Sequence, residues 1–263
     1  MACNFSIPHY REILESALEN GYTFVGYDDV GFLSNSQKAC ILRHDVDYLP
    51  EHAPAFAHVE GELGIKATYF FQVCAKPYNL REAGNYQVVQ GLHKLGHTIG
   101  LHFDPTWKPH AKLEELASLC RQDKAVFEAI TGIKPCEIVA FHNPHRFAEM
   151  VLNKEVLGMR HTYEKVYFSD IKYLSDSQGW YEGCMCLVFT SRRYPVIQLL
   201  THPYIWPDEP SSGFIEDMAH LVQARTDELT DHLITYHPVC KRNETQFRAR
   251  IAQVQEEKRR RWV

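Results

Sequence analysis

Four short apolar stretches of the chain each lead directly into polar side chains that could do chemistry. The first stretch, residues 40–42, is followed by Arg43, His44, Asp45 and Asp47 within five positions. Carboxylates next to a buried strand are unfavourable unless a cation lies close to them. This segment therefore indicates either a bound metal ion or an ion-pair network between the arginine and the two aspartates.

Histidines mark the ends of the other three stretches. His97 and His102 lie five positions apart, His142 follows the third apolar stretch, and His202 follows the fourth. The first two can converge on one ion if a short strand between them ends in a turn, whereas an unbroken strand would place them on opposite faces. One histidine after a strand is ordinarily a hydrogen-bonding residue, but four strand ends that each carry one favour a common site.

The hydrophobic pattern alternates between strand and helix along most of the chain. Apolar runs of strand length are separated by helical segments such as residues 81–95 and 112–130, and each of these is followed closely by a glycine that can end a helix. Repeated strand and helix units predict parallel strands with helices outside, in a sandwich or a barrel. In both folds ligands bind beyond the carboxyl ends of the strands, where these polar residues lie.

Length, composition and charge restrict the class of protein. The chain has 263 residues, of which 45% are hydrophobic and 23% charged, and its formal net charge is −5. These values exclude collagen-like and mostly disordered chains. The negative charge gives no general attraction for nucleic acid, so we do not expect a nucleic-acid partner. The sequence leaves the oligomeric state open.

Neither a signal peptide nor a membrane span is predicted. The N-terminal residues lack a basic flank followed by an apolar run, and no run of about eighteen apolar residues exists. The eight cysteines are scattered without a C-x-x-C pair, so we interpret them as reduced and mostly buried thiols. Cys184 and Cys186 are expected to alternate along a strand. Together these features predict a cytoplasmic protein.

The motifs and their order resemble the polysaccharide deacetylase superfamily, also called the NodB-homology or carbohydrate esterase 4 superfamily. The resemblance rests on the first aspartate-bearing strand end, on Ala-Thr-Tyr-Phe-Phe at 67–71, Gly-His-Thr-Ile-Gly-Leu-His at 96–102, Phe-His-Asn-Pro at 141–144 and Leu-Thr-His at 200–202. It covers residues 38–206 and implies a distorted (β/α)7 barrel of mainly parallel strands. We then expect a single domain over 1–263, with helices over 213–263 packing on the core.

The resemblance also implies roles for the residues that match its motifs. Asp45 corresponds to a general base and Asp47 to a metal ligand, although the residue inserted between them leaves these two assignments interchangeable. His97 and His102 match the two ligand histidines. His202 matches the general acid that protonates the leaving amine.

Three further residues would shape the pocket around these groups. Leu200 matches a residue that lines the acyl pocket, and Asp176, ahead of Trp180, resembles an element that orients the acid and walls the pocket.

Two neutral imidazoles and a carboxylate suit one divalent ion and leave positions for water and a substrate carbonyl. Zinc is the preferred ion, with nickel, cobalt and manganese as the other candidates.

The third motif departs from the family pattern. His142 and His145 stand where the family has an arginine and a tyrosine. We expect both on the substrate side of the site, with the backbone N–H of His145 as the oxyanion contact. Arg43 could replace the missing arginine beside the base.

These features predict a metal-dependent hydrolase that removes an acetyl or formyl group from an amino sugar. A base and an acid on opposite sides of one ion suffice for amide hydrolysis. The substrate would be a small-molecule or lipid-linked precursor of a surface polysaccharide such as O-antigen or capsule. Two alternatives stay open: a metal-dependent amidase for a non-sugar such as a cyclic ureide, and a degenerate barrel that binds a glycan without turnover.

Overall fold

The computed structural model describes residues 3–34, 36–108, 111–156, 158–207 and 214–261. The chain divides into two compact units, Met1–Ser211 and Ser212–Val263. All the candidate site residues named from the sequence lie in the first unit. The expectation of a single domain, with the C-terminal helices packed on its core, stays a prediction.

The first unit contains a curled sheet of parallel strands. In the described residues its strands are β1 (Tyr22–Val25), β2 (Lys38–Val46), β3 (Thr68–Phe71), β4 (Thr98–Phe103), β5 (Ile138–Phe141), β6 (Arg160–His161), β7 (Lys172–Ser175) and β8 (Val196–Thr201). Seven of them follow the order β6-β5-β4-β3-β2-β8-β7, and β1 pairs with the first half of β2. With helices around it, this sheet confirms the predicted distorted (β/α)7 barrel.

Helices follow most of the strands, as the alternating pattern predicts. Those of the first unit are α1 (Ile7–Glu19), α2 (Ala53–Glu62), α3 (Ala83–Lys94), α4 (Leu113–Thr131), α5 (Ala148–Val151), α6 (Lys165–Phe168) and α7 (Met185–Ser191). Gly132 follows α4 with φ +70°, a left-handed conformation that glycine adopts without strain. Cys184 and Cys186 do not lie on the expected strand, because Cys184 caps α7 and Cys186 lies in its first turn.

The second unit consists of helices α8 (Phe214–Tyr236), α9 (Pro238–Arg242) and α10 (Glu244–Arg261). Helix α8 matches the helix expected to begin at residue 213, although that residue lies outside the described ranges. None of the helices in the described ranges combines the length and the apolar character needed to span a bilayer.

Strand β2 pairs with β1, β3 and β8 and positions the first polar motif. Eight of its nine residues are buried. Side chains alternate between the two faces of a strand, so Arg43 and Asp45 share one face and His44 points to the other. Asp47 follows directly after the strand.

Gly100 in β4 leaves room for the ring of Phe70 from the neighbouring strand. A Cβ atom at this position would lie 2.5 Å from ring carbons of Phe70 in β3, which is too close for a side chain. The glycine in the Gly-Leu-His part of the motif is therefore required by packing beneath the site.

Candidate active site and metal centre

Three side chains from three strand ends meet at the carboxyl edge of the sheet. Asp47 follows β2, His102 lies near the end of β4, and His142 follows β5. Asp47 Oδ1 lies 2.8 Å from His102 Nε2 and 2.9 Å from His142 Nδ1, and these two nitrogens lie 3.2 Å apart. Donor atoms that bind one zinc ion at about 2.0–2.2 Å lie roughly 3 Å from each other. The cluster therefore has the size of a site for a single ion.

The backbone after β5 brings His142 into this cluster. Its N–H donates to the Phe103 carbonyl at 2.9 Å, which continues the pairing of β5 with β4 by one residue. Asn143 then turns the chain with φ +49°, a left-handed conformation that asparagine tolerates better than most residues. The strand pairing and the turn together place the imidazole beside His102.

Hydrogen bonds on the far side of each ring orient the two imidazoles. His102 Nδ1 lies 3.2 Å from the Ala140 carbonyl and donates to it, which leaves the Nε2 lone pair directed at the cluster. His142 Nε2 lies 2.7 Å from the side-chain amide of Asn143. The amide oxygen and nitrogen exchange places on a half-turn, so the Asn143 oxygen can accept a hydrogen bond from His142 Nε2–H and leave Nδ1 available as a ligand.

The charge of Asp47 suits the same role. Burial opposes its ionisation, but the adjacent His102 and His142 rings outweigh burial and hold the pKa of the carboxyl below its usual range. A carboxylate and two imidazoles are a donor set of catalytic zinc sites, which keep an open position for water. The three residues therefore fit a divalent metal ion.

His97 lies at the opposite end of β4 from His102. Five positions of extended chain span about 16 Å, so the two imidazoles cannot share an ion. His97 Nδ1 instead accepts a hydrogen bond from the Ala67 N–H at 3.3 Å and lies 3.4 Å from Glu60 Oε2. The structure therefore corrects the expected ligand set: an unbroken strand separates the two histidines, and His142 occupies the place assigned to His97.

Asp45 lies inside the barrel in a two-point ion pair with Arg43. The Arg43 Nε and Nη2 atoms donate to the two carboxylate oxygens at 2.8 and 2.6 Å, and Nη2 also donates to Tyr163 Oη at 3.0 Å. Burial opposes ionisation of Asp45, but the guanidinium outweighs it and lowers the pKa. Asp45 Oδ2 lies 3.7 Å from His102 Nδ1, so the carboxylate lies behind that ring.

His202 reaches the other side of the cluster from the end of β8. Its Nδ1 lies 2.5 Å from Asp176 Oδ1, while the His202 backbone N–H and Trp206 Nε1 donate to Asp176 Oδ2 at 2.9 and 2.8 Å. Burial disfavours the charged ring, but Asp176 outweighs burial and raises the pKa of His202 to about 9. The free Nε2 lies 3.8 Å from Asp47 Oδ2. The Nε2 side of an imidazole whose protonated form is favoured by Asp176 therefore faces the cluster.

Three further residues were expected around the pocket: Leu200, His145 and Trp180. Leu200 is buried in β8, and His145 is exposed in the turn after β5. Trp180 packs against Trp206 at a ring distance of 6.2 Å and donates its Nε1–H to Cys3 Sγ at 3.3 Å. Of the two tryptophans, Trp206 is the one whose indole N–H donates to Asp176, a contact that the sequence pattern does not indicate.

Two tyrosines beside the cluster were also missed from the sequence. Tyr48 follows Asp47 directly and Tyr204 lies two positions after His202. Their rings meet edge to face at 4.8 Å, the Tyr204 ring lies 5.9 Å from that of His202, and both tyrosines are partly exposed. The signal that could have identified these tyrosines is an aromatic residue one or two positions after Asp47 and after His202.

A second buried polar cluster surrounds Glu60 of α2. Its carboxylate accepts hydrogen bonds from Tyr10 Oη at 2.6 Å and Tyr69 Oη at 2.8 Å, and it lies 2.7 Å from His44 Nε2. These contacts join α1, α2, β2 and β3. Because every contact of this carboxylate comes from a buried group, the cluster is part of the packing of helices on the sheet.

No protein-family model and no curated protein matches the sequence. Solved structures that are similar include a carbohydrate esterase 4 family pseudoenzyme from Bacillus anthracis, at 14% identity and a TM-score of 0.39 over 74% of this chain. The chain spans 63% of that pseudoenzyme, which is less than two thirds of its length.

Two further similar structures are described as deacetylases. The chitin deacetylase of Colletotrichum lindemuthianum has 14% identity and a TM-score of 0.43, over 77% of this chain and 86% of that one. A Streptococcus pyogenes deacetylase in complex with acetate has 10% identity and a TM-score of 0.42, over 74% and 80%.

Proposed function

We propose that this protein is a metal-dependent deacylase that hydrolyses the amide of an N-acetylated or N-formylated amino sugar. The observation that carries the proposal is the convergence of Asp47, His102 and His142 on one point, with His202 held against that point by Asp176. Three ligands with an open side, and an acid next to them, are the parts that hydrolysis of an unactivated amide requires.

Asp47, His102 and His142 would hold the ion. When bound, a divalent ion supplies a Lewis acid for the amide carbonyl and makes water more acidic. The donor set suits zinc and also accommodates nickel, cobalt or manganese. This assignment replaces the ligand pair expected from the sequence.

Asp45 and His202 would handle the two protons of the reaction. Asp45 is the base expected from the sequence, and Arg43 keeps it ionised; its carboxylate would have to turn from behind the His102 ring to take a proton from the attacking water. His202 donates its Nε2 proton to the amine nitrogen as the carbon–nitrogen bond breaks. One proton is accepted and one is donated, so acetate or formate and a free amine leave without a covalent intermediate.

The partly exposed rings of Tyr48 and Tyr204 support an amino sugar as the substrate. They lie next to His202, where the group beyond the leaving nitrogen would sit, and aromatic rings pack on the apolar faces of sugars. We propose a small-molecule or lipid-linked amino sugar, a precursor of O-antigen or capsule made in the cytoplasm.

Release of acid from defined substrates tests this function. Zinc-loaded protein is incubated with N-acetylated and N-formylated amino sugars, free and as sugar nucleotides, and both the released acid and the new amine are measured. We expect turnover that disappears in His142→Ala and in His202→Asn and persists in His58→Ala, which changes an exposed histidine of α2. Protein that holds its metal and binds sugar, yet releases no acid from any of these compounds, would instead be a glycan-binding barrel.

A further inference from the structure

A second group of potential metal ligands lies outside the carboxyl edge of the sheet. Cys3, His9 and Cys184 each offer one donor atom, and the three atoms lie within 4.8 Å of one another. His9 Nε2 lies 3.0 Å from Cys184 Sγ. His9 and Cys184 are buried and Cys3 is partly buried, so the cluster is shielded from most of the solvent.

Glu12 orients the histidine of this cluster. Its Oε2 lies 2.7 Å from His9 Nδ1. A carboxylate at this nitrogen keeps the ring proton there, so the lone pair of Nε2 points toward the sulfur of Cys184. A carboxylate behind the ring is the usual partner of a metal-binding histidine, because it fixes the tautomer and increases the basicity of the ligand nitrogen.

A hydrogen-bond donor also reaches the sulfur of Cys3. Trp180 Nε1 donates to Cys3 Sγ at 3.3 Å, a hydrogen bond that a metal-bound sulfur can also accept. Together with the Glu12 carboxylate, this contact means that two of the three donors have a second polar partner suited to their metal-bound form. A packing role for the thiols would require neither partner.

Regular structure holds two of the three donors in place. His9 lies in the first turn of α1 and Cys184 immediately precedes α7. The Ser16 hydroxyl of α1 donates to the Cys186 carbonyl of α7 at 3.2 Å, so the two helices are joined directly. The donors therefore meet without rearrangement of the fold.

We propose that Cys3, His9 and Cys184 form a binding site for a second metal ion, a soft or borderline divalent cation such as zinc. Two thiolates and an imidazole favour zinc over hard cations such as magnesium and calcium, which prefer oxygen ligands. Three protein donors leave a fourth position for water or an external ligand. The site is independent of the proposed deacylase activity.

An ion at this site would hold the segment that carries Cys3 and Phe5 against Trp180 and Trp206. These tryptophans lie near the proposed general acid, His202. Phe5 packs against Trp180 at 6.0 Å and against Trp206 at 5.1 Å, and Trp206 in turn donates to Asp176. Binding of a metal to the folded state alone raises the melting temperature. We therefore expect zinc to stabilise the protein even when the catalytic cluster is disabled.

Cobalt substitution tests the proposal on the full chain. Reduced, metal-free protein is titrated with Co²⁺, and bound metal is measured by elemental analysis. We expect two ions per chain and a near-ultraviolet thiolate-to-cobalt charge-transfer band, which an Asp and His donor set cannot produce. His142→Ala should lose one ion and keep the band, whereas Cys184→Ser should lose one ion and the band. Cys74→Ser, at an exposed cysteine, is the matched control and should retain both.

Protection of thiols in the unaltered protein provides a second measurement that does not depend on the folding of variants. Alkylation is mapped by mass spectrometry with and without Zn²⁺. Zinc should slow labelling of Cys3 and Cys184 at least tenfold and leave Cys74 unchanged. Absence of the charge-transfer band, equal labelling with and without zinc, or a disulfide between Cys3 and Cys184 in protein purified without reductant would each overturn the proposal.

Discussion

Asp47 Oδ1 and His142 Nδ1 lie 2.9 Å apart although the two residues are 95 positions apart in the chain. Their strands are not neighbours, because β3 and β4 lie between β2 and β5. The contact therefore depends on the curl of the sheet, which brings strand ends together across the mouth of the barrel. A flat sheet with the same order would hold these two side chains about 15 Å apart, at roughly 4.8 Å for each strand spacing.

Replacing His142 by alanine should remove the metal ion from the catalytic cluster. Loss of one of three ligands is expected to lower deacylation by more than about 100-fold, since even changes in groups behind a ligand cost 10- to 100-fold. Elemental analysis with the Cys74→Ser protein as a reference measures the lost ion. His97→Ala is the informative companion, and it should keep that ion because His97 contacts Glu60 instead. Retention of the metal in His142→Ala and loss in His97→Ala would restore the ligand set expected from the sequence.

Replacing Asp176 by asparagine should impair the acid and leave the metal bound. His202 Nδ1 loses the carboxylate that stabilises its protonated form, so we expect kcat to fall on the order of 100-fold, within the range that general acid catalysis contributes. Steady-state kinetics and metal content are measured together. Asp170→Asn, at an exposed aspartate paired with Lys165, is the control and should match the unaltered protein. Equal kcat in the two variants would argue against His202 as the acid.

Replacing Arg43 by methionine should destabilise the fold strongly. The change leaves the carboxylate of Asp45 buried without its partner, which costs about 3–5 kcal/mol in the free energy of unfolding. Urea unfolding at neutral pH measures the loss, and adding Asp45→Asn to the same chain should recover part of it. Arg11→Met removes a half-exposed ion pair with Glu62 and should cost less than about 1 kcal/mol. Similar losses in both arginine variants would show that the buried ion pair stabilises the fold no more than the half-exposed pair does.

The stability of the protein should fall as the pH decreases from about 6.5 to about 4, in part because of His161. Burial lowers the pKa of His161 to about 4, and its Nε2 donates to the Lys154 carbonyl at 2.9 Å. The unfolded chain binds the proton at about pH 6.5, so the unfolded state gains protons first across this interval. The contribution approaches about 3 kcal/mol. In His161→Gln the loss between pH 6.5 and 4 should be smaller, and an unchanged pH profile would contradict this assignment.

Replacing Gly100 by alanine should destabilise the sheet beneath the site. The new methyl group would overlap the ring of Phe70, and overpacking of this kind costs about 1–3 kcal/mol. Thermal unfolding measures the effect. Gly91→Ala in α3 is the control, because no atom lies within 4 Å of its added Cβ and alanine favours a helix, so its melting temperature should rise. A Gly100→Ala protein as stable as the control would mean that the Phe70 ring can move aside at little cost in free energy.

The alternation of strands and helices could be predicted from the sequence because it is a local property. Each of these patterns is defined by residues close together in the sequence: apolar runs of four to six residues, amphipathic segments and the glycines that follow them. The placement of Asp47, His102 and His202 at strand ends follows from the same pattern, since each directly ends or follows an apolar run. Asp176, expected to orient the acid, contacts His202 in the structure, and its role in the reaction stays a prediction.

Only the tertiary structure decided which histidines meet. From the sequence, His97 and His142 were both near strands, and the choice depended on whether β4 is interrupted and on how β5 pairs with it. The register that sets His102 opposite Ala140 makes His142 the neighbour, while an unbroken β4 carries His97 to the far end of the barrel. Strand pairing is a contact between distant parts of the chain, so no local pattern contains it.

The same limit applies to the buried partners of these groups. Nothing in the helical pattern of α2 marks Glu60 as a buried carboxylate, and nothing around Cys3 and Cys184 predicts that His9 lies between them. Local sequence determined the elements and the polar residues at their ends. The curl of the sheet and the packing of α1 and α7 decided which of those residues touch, because contacts between distant segments depend on the free energy of the whole fold.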